Sequence, residues 1–272
     1  MILTHRRKGV GARISDVGEN GSSGSGIQLH LDATAPNALL DSSDDILITD
    51  DDIIATWKDI SGNGRDFTNA TESKCPIVEN SVLGNVGVTF DGTDDFMEAA
   101  EFYTYVDSTF FIVFKNTNTA GTETLFSDRG GNTTEQLLIR TSGNYLKMLA
   151  KDDGGDTIGE ITPDSTSGID AGVAGLIKLS ASTGTPTGSV SANGTAFKDG
   201  EQADYASDTA FGGNAEDPTI GARNSGDVTP ANFLAGHILE IGIWPRILTS
   251  AEMNKLLKIA SLRYGLTVST LA

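Results

Sequence analysis

The apolar residues of this chain recur in short alternating runs, not in long helical stripes. Ile27-Gln28-Leu29-His30-Leu31-Asp32 alternates apolar and polar side chains with a period of two, the pattern of a strand with one buried face. Further runs over 86–90, 110–114, 136–141, 145–150, 157–161, 176–181, 188–192, 219–222 and 237–244 predict more strands. Turn-forming clusters separate them: Asp91-Gly92, Gly130-Gly131-Asn132, Ser142-Gly143-Asn144, Asp153-Gly154-Gly155 and Asn193-Gly194. The last lies between two runs and predicts a hairpin, because both residues accept positive φ.

One segment changes period. Thr249-Ser250-Ala251-Glu252 predicts a capping box, in which the hydroxyl accepts from the N3 amide and the glutamate reaches back. Met253, Leu256, Leu257, Ala260 and Tyr264 then form one apolar stripe, and Gly265 supplies a left-handed stop. The predicted fold is all-β: an antiparallel two-sheet sandwich with a short C-terminal helix. At 272 residues the chain suits one large all-β domain.

Glycine is abundant (32) and proline scarce (7), which fits many short loops between strands. The net charge of −18 argues against a main body that binds nucleic acid. That charge is uneven. Residues 1–26 hold Arg6, Arg7, Lys8 and Arg13 against Asp16 and Glu19, a net +2 that leaves −20 on the rest. With the linker Asn20-Gly21-Ser22-Ser23-Gly24-Ser25-Gly26, residues 1–26 read as an extended basic arm and 27–272 as the sandwich. The four basic residues are the expected partner-binding set, and the partner is a protein surface.

Cys75 is the single cysteine, so no internal disulfide forms and the thiol is expected to be a small packed residue. Met1-Ile2-Leu3-Thr4 runs straight into His5-Arg6-Arg7-Lys8 without an apolar stretch behind it, so no secretory signal and no membrane span are predicted. Asp41 to Asp52 forms an acidic stretch around Ile46-Leu47-Ile48. It lacks the glycine and the closing glutamate of an EF-hand and reads as a solvated insertion loop.

Catalytic patterns are missing from the sequence. Retaining glycosidases hold two carboxylates about 5–5.5 Å apart, which alternate positions on one face of a strand could supply. Asp50-Asp51-Asp52 lacks that spacing, Glu98 and Glu101 point to opposite faces, and Glu240 stands alone. Asp128-Arg129-Gly130-Gly131-Asn132 leads into no helix and reads as a loop. Tyr103, Tyr105 and Tyr145 could form a stacking platform for a sugar, or pack as ordinary strand aromatics.

Seven segments in order resemble the concanavalin A-like lectin/glucanase superfamily, in its laminin-G-like branch. They are Trp57-Lys58-Asp59-Ile60-Ser61-Gly62-Asn63-Gly64, Val88 to Phe96 around Phe90-Asp91-Gly92, Phe110 to Phe114, Ser191-Ala192-Asn193-Gly194, Thr219-Ile220-Gly221-Ala222-Arg223, Phe233 to Ile241, and Leu248 to Glu252 with Tyr264-Gly265-Leu266. Ser and Ala replace the bulkier residues usual before the asparagine–glycine hairpin. The resemblance implies a concanavalin A-like jelly roll, which hosts lectins, hydrolases, adhesion modules and virion proteins.

It also implies that one calcium could be held by loop carboxylates. Asp59 with Asn63, or Asp94 with Asp95, could serve, and both pairs are equally explained as turn formers. No cofactor is otherwise expected. The sequence expectation is a non-enzymatic virion protein of a tailed phage, a capsid decoration or short fibre. It would be made in the host cytoplasm, be held to other virion proteins by its arm and assemble as a homo-oligomer such as a trimer. The alternative is a carbohydrate-binding adhesion module for cell-surface glycans, with a glycan hydrolase behind it.

Overall fold

The structure is a computed structural model. It describes Ile14, Val17 and residues 26–100, 102, 109–117, 121–129, 136–142, 145–151, 157–161, 171–177, 189–192, 195–196, 217–223 and 230–266. Within them run β1 (Leu29–Asp32), β2 (Leu39–Leu40), β3 (Thr56–Trp57), β4 (Phe67–Thr68), β5 (Ile77–Val82), β6 (Asn85–Asp91), β7 (Met97–Glu98), β8 (Thr109–Asn116) and β9 (Thr122–Arg129). There follow β10 (Gln136–Ser142), β11 (Tyr145–Lys151), β12 (Thr157–Ile161), β13 (Ala171–Ile177), β14 (Ser189–Ala192), β15 (Thr195–Ala196), β16 (Thr219–Ile220), β17 (Ala235–Trp244) and the helix α1 (Ser250–Tyr264).

The strands form two antiparallel sheets. One has eight strands in the order β15-β14-β13-β8-β17-β6-β5, with β1 added beside β17. The other has nine, in the order β12-β11-β10-β9-β16-β7-β4-β3-β2. The ten-residue β17 organises the first sheet. One edge pairs with β8 along most of its length, while the other pairs with β6 over Ala235–Ile238 and with β1 over Glu240–Ile243.

The continuous apolar run in β8 shows how the layers stack. Phe110, Ile112 and Phe114 face the core between the sheets, with Trp57, Phe67, Phe90 and Phe126. Phe111 and Val113 point the other way, into a second core under α1 that holds Trp244, Met253, Leu256, Leu257 and Tyr264. A strand buried on both faces loses the period-two pattern, and this one is covered by a sheet on one side and a helix on the other. α1 carries the expected capping box, with Glu252 N donating to Thr249 Oγ1 at 3.3 Å and Thr249 N donating to Glu252 Oε2 at 2.9 Å. It ends at Gly265, whose φ of 68° is left-handed.

Two residues from the expected arm belong to this second core. Ile14 and Val17 are buried against Trp244, whose Nε1 donates to Val17 O at 3.0 Å. Gly242 makes room for them, since a Cβ there would stand 2.8 Å from both Ile14 Cδ1 and Trp244 Cη2. The described part of the arm therefore packs on its own sandwich. Of the run expected at 176–181, Leu176 and Ile177 close β13 (Ala171–Ile177), which pairs with β8, and the remainder lies outside the described residues. The short strands β2, β3, β4 and β7 carry too few residues for a period to show.

Candidate functional site

The Trp57 to Gly64 segment is a fold device. Trp57 is fully buried between the sheets. Asp59 Oδ1 accepts from His30 N at 3.0 Å and Ser61 N at 2.9 Å, and Oδ2 accepts from Ser61 Oγ at 2.8 Å and Arg65 N at 3.1 Å. Asn63 Nδ2 donates to the Gln28 carbonyl at 3.0 Å. Both side chains are thus spent on turning the chain and tying it to β1, and the turn-former alternative accounts for Asp59 and Asn63. Cys75 is buried, and burial pushes its thiol up to about 11, so it stays protonated and unreactive at neutral pH.

A polar network lies between β1, β17 and the end of α1. A register shift between Ile238 and Glu240 leaves two consecutive residues, Leu239 and Glu240, between the inward-facing Ile238 and Ile241. This bulge turns Glu240 toward α1. Its Oε1 accepts from Arg263 Nη1 at 2.9 Å and lies 2.9 Å from His30 Nε2, while Oε2 accepts from Tyr264 OH at 2.8 Å. Arg263 Nη2 reaches Asp32 Oδ2 at 2.8 Å and Thr34 Oγ1 at 2.6 Å.

His30, Asp32 and Glu240 have the spacing of a metal-ligand set. Arg263 already supplies the positive charge, and burial beside Glu240 raises the Tyr264 hydroxyl well above its usual range. Every carboxylate oxygen named is engaged by an internal donor. The arrangement locks the helix to the sheet and offers no open face to a substrate.

A second acidic group sits at the β6–β7 turn. Oxygens of Asp91, Asp94 and Asp95 lie within 4.8 Å of one another, a set that could hold a hard cation. These carboxylates also form the turn. Asp91 Oδ1 accepts from Thr93 N at 2.7 Å, and Asp95 Oδ2 accepts from Asp91 N at 2.9 Å. Burial, with Asp91 and Asp94 nearby, raises the Asp95 carboxyl to about 6.

The nine-stranded sheet presents an outward face in register across its strands. Thr56, Thr68, Glu98, Thr219, Ser127 and Leu138 are successive partners from β3 to β10. Thr68 and Glu98 are exposed, whereas Thr219 and Ser127 are buried. Ile139 points into the core, so its neighbour Arg140 faces outward. Arg140 lies opposite Thr124 of β9. On the other side of Thr124, its amide bonds Asn232 O at 2.9 Å, and the adjacent Ala231 bridges to Arg223. Arg140 Nε, Arg223 Nε and Thr124 Oγ1 are all buried without a hydrogen-bond partner. The sequence reading missed these two arginines, because an isolated arginine in an alternating run looks like an ordinary solvent-facing residue.

Arg6, Arg7, Lys8 and Arg13 lie outside the described residues, as do Tyr103 and Tyr105. Of Tyr145 only its place in β11 is described. None of the described helices is long and apolar enough to cross a membrane.

The sequence matches no protein-family model and no curated protein. Solved structures do share the fold. The binding domain of botulinum neurotoxin serotype D aligns at TM-score 0.58 and 13% identity, covering 87% of this chain and 52% of that one. The type G receptor-binding domain aligns at TM-score 0.54 and 13% identity, covering 86% and 51%. A carbohydrate-binding CBM40 domain of the Ruminococcus gnavus IT-sialidase, solved with α2,3-sialyllactose, aligns at TM-score 0.48 and 14% identity over 64% of this chain and 95% of that one. The chain spans about half the length of the two neurotoxin domains. The likeness to the two neurotoxin domains shows the fold alone, an antiparallel two-sheet β-sandwich.

Proposed function

We propose that the chain is a non-catalytic glycan-binding module of the laminin-G-like kind, and that it recognises acidic sugars through Arg140 and Arg223. The observation that supports this reading is that Arg140 Nε and Arg223 Nε are buried without a hydrogen-bond partner, as is the hydroxyl of Thr124, which lies opposite Arg140 in the β9–β10 register. A buried donor without a partner costs about 1–3 kcal/mol, and a carboxylate brought within reach of these guanidinium groups would supply acceptors. Arginine suits this role because its planar fork meets a carboxylate in two parallel bonds. The neurotoxin domains that share the fold are themselves binding domains. Support for a hydrolase is weaker, since the one described cluster of histidine and carboxylates is sealed by Arg263 and Tyr264.

Arm-anchored assembly on a virion, the other role the sequence suggests, rests on the resemblance to laminin-G-like modules, the acidic disulfide-free chain and the basic arm with Arg6, Arg7, Lys8 and Arg13. No structure compared above is a virion protein.

The test is titration calorimetry with sialyllactose and with neutral lactose. Binding of the acidic sugar, reduced at least tenfold in both Arg140→Gln and Arg223→Gln with the circular dichroism spectrum unchanged, supports the reading. No binding to either sugar, or binding indifferent to both arginines, overturns it.

A further inference from the structure

The acidic insertion between β2 and β3 adds a short segment to the edge of each sheet. Residues 45–47 run back along β2: Leu47 N donates to Leu39 O at 3.0 Å, and Asp41 N donates to Asp45 O at 3.0 Å. Residues 51–54 run along β5: Asp51 N donates to Val78 O at 2.9 Å, Val78 N to Asp52 O at 2.9 Å, and Ile54 N to Pro76 O at 2.8 Å. Between the two segments the chain turns, and Thr49 N closes the turn on Asp52 Oδ2 at 2.9 Å. Leu47 and Ile54 pack against the core between the sheets.

These bonds fix what each sheet ends in. Ile46 bridges Leu40 on the nine-stranded sheet, and Ile53 bridges Ile77 on the eight-stranded one, both antiparallel. In each bridge the hydrogen bonds come from the residues on either side of the isoleucine, so the isoleucine occupies a non-hydrogen-bonded position. The N–H and C=O of Ile46 and of Ile53 therefore face away from their sheets. Neither residue makes a backbone hydrogen bond among the described residues.

Outward-facing N–H and C=O groups are a template for pairing with another chain. Ile46 and Ile53 are 52% and 37% exposed, and the run Ile46-Leu47-Ile48-Thr49 favours β structure. Aspartates bracket both positions. Asp44 and Asp45 precede Ile46, and Asp50, Asp51 and Asp52 precede Ile53. All but Asp52 are exposed. Asp50 also ends the β5 edge, since its Oδ1 accepts from the amide of Asn80, two residues beyond Val78.

We propose that the insertion is a guard against edge-to-edge pairing. It shortens the outward edge of each sheet to a single residue and brackets that residue with carboxylates. Two copies that approach along either edge bring like charges together before their backbones meet, and like charges set opposite one another destabilise a strand pair. Short, charged edges keep β-sheets from pairing with one another, and charges that flank an apolar run block its aggregation. This inference does not depend on the glycan reading.

Sedimentation velocity of the full chain over a range of concentration tests it. The variant Asp44→Asn/Asp45→Asn/Asp51→Asn removes three charges and keeps Asp41, Asp50 and Asp52, whose carboxylates hold backbone amides. Asparagine suits positions 44 and 51 because both have positive φ. At low salt this variant should self-associate at least tenfold more tightly than the wild type. The wild type should move toward the variant as sodium chloride rises, because screening weakens the same repulsion. Adding Ile46→Pro/Ile53→Pro removes both outward N–H groups and should return the variant to wild-type sedimentation with an unchanged circular dichroism spectrum. Hydrogen exchange checks the contact without the prolines: in the associated variant the amide of Ile46 or of Ile53 should exchange more slowly than in the wild type.

A neutralised variant that sediments as the wild type does overturns the proposal. So does association that persists with both prolines in place, or that leaves both isoleucine amides exchanging at the wild-type rate.

Discussion

Arg263 Nη1 donates to Glu240 Oε1 across 2.9 Å, joining the last turn of the C-terminal helix to the central strand of the eight-stranded sheet. Glu240 is fully buried, and the same guanidinium also pairs with Asp32. Removing one partner of a buried ion pair leaves an uncompensated charge and costs about 3–5 kcal/mol. Arg263→Leu should therefore lower the urea midpoint strongly. Arg263→Lys should recover little of the loss, because one ammonium group cannot reproduce the fork to Glu240 and Asp32. Adding Glu240→Gln to Arg263→Leu should restore part of the loss by removing the stranded carboxylate.

The seating of Ile14 and Val17 gives a second prediction. Gly242 leaves the space that Ile14 Cδ1 and the Trp244 ring fill. Gly242→Val should displace Ile14 and cost about 1–3 kcal/mol through overpacking. Hydrogen exchange at the Trp244 indole N–H, held by Val17 O, should accelerate in this variant. Slow exchange equal to that of the wild type would show that the segment stays seated.

What could be read from the chain and what could not divide along sequence separation. The capping box of Thr249 and Glu252, the stop at Gly265 and the turn around Asp59 and Ser61 are written in adjacent residues, and the structure contains each of them. The β8 run was legible as a strand, but its burial on both faces depends on a helix more than a hundred residues later. The environment of Glu240 was not legible. It looked like a lone carboxylate, since nothing in its neighbourhood announces the bulge, and its partner His30 is 210 residues away. Ile14 and Val17 were hidden for the same reason, inside a polar segment whose apolar residues acquire a role only when Trp244 is brought beneath them. Arg140 and Arg223 stand out only once the register shows that their Nε atoms find no internal acceptor.

Glu252 provides a pH-dependent prediction at the helix start. Its bidentate bond to Arg246, at 2.7 and 3.0 Å, and the Thr249 cap hold its carboxyl at about 2, below the usual 4.5. A depressed pKa contributes stability that is present above pH 4.5 and is lost as pH falls toward 2. Glu252→Gln should cost about 1–2 kcal/mol at pH 7. The gap between the two melting curves should close between pH 4.5 and pH 2.

Asp95 works in the opposite sense. It is buried beside Asp91 and Asp94, and its carboxyl is raised from 3.8 to about 6. The folded state therefore binds a proton that the unfolded state releases between those two values. Above pH 6 the buried charge is a penalty, which fades as pH falls from 6 to below 4. An asparagine in its place would carry no charge, and the amide oxygen can still accept from the Asp91 N–H that Asp95 Oδ2 now binds. Asp95→Asn should accordingly be more stable than the wild type at pH 8, by about 2 kcal/mol, with the advantage vanishing near pH 4. Urea denaturation at pH 4, 6 and 8 measures this directly. A variant less stable than the wild type at pH 8 would mean that the ionised carboxylate contributes more to the turn than its burial costs.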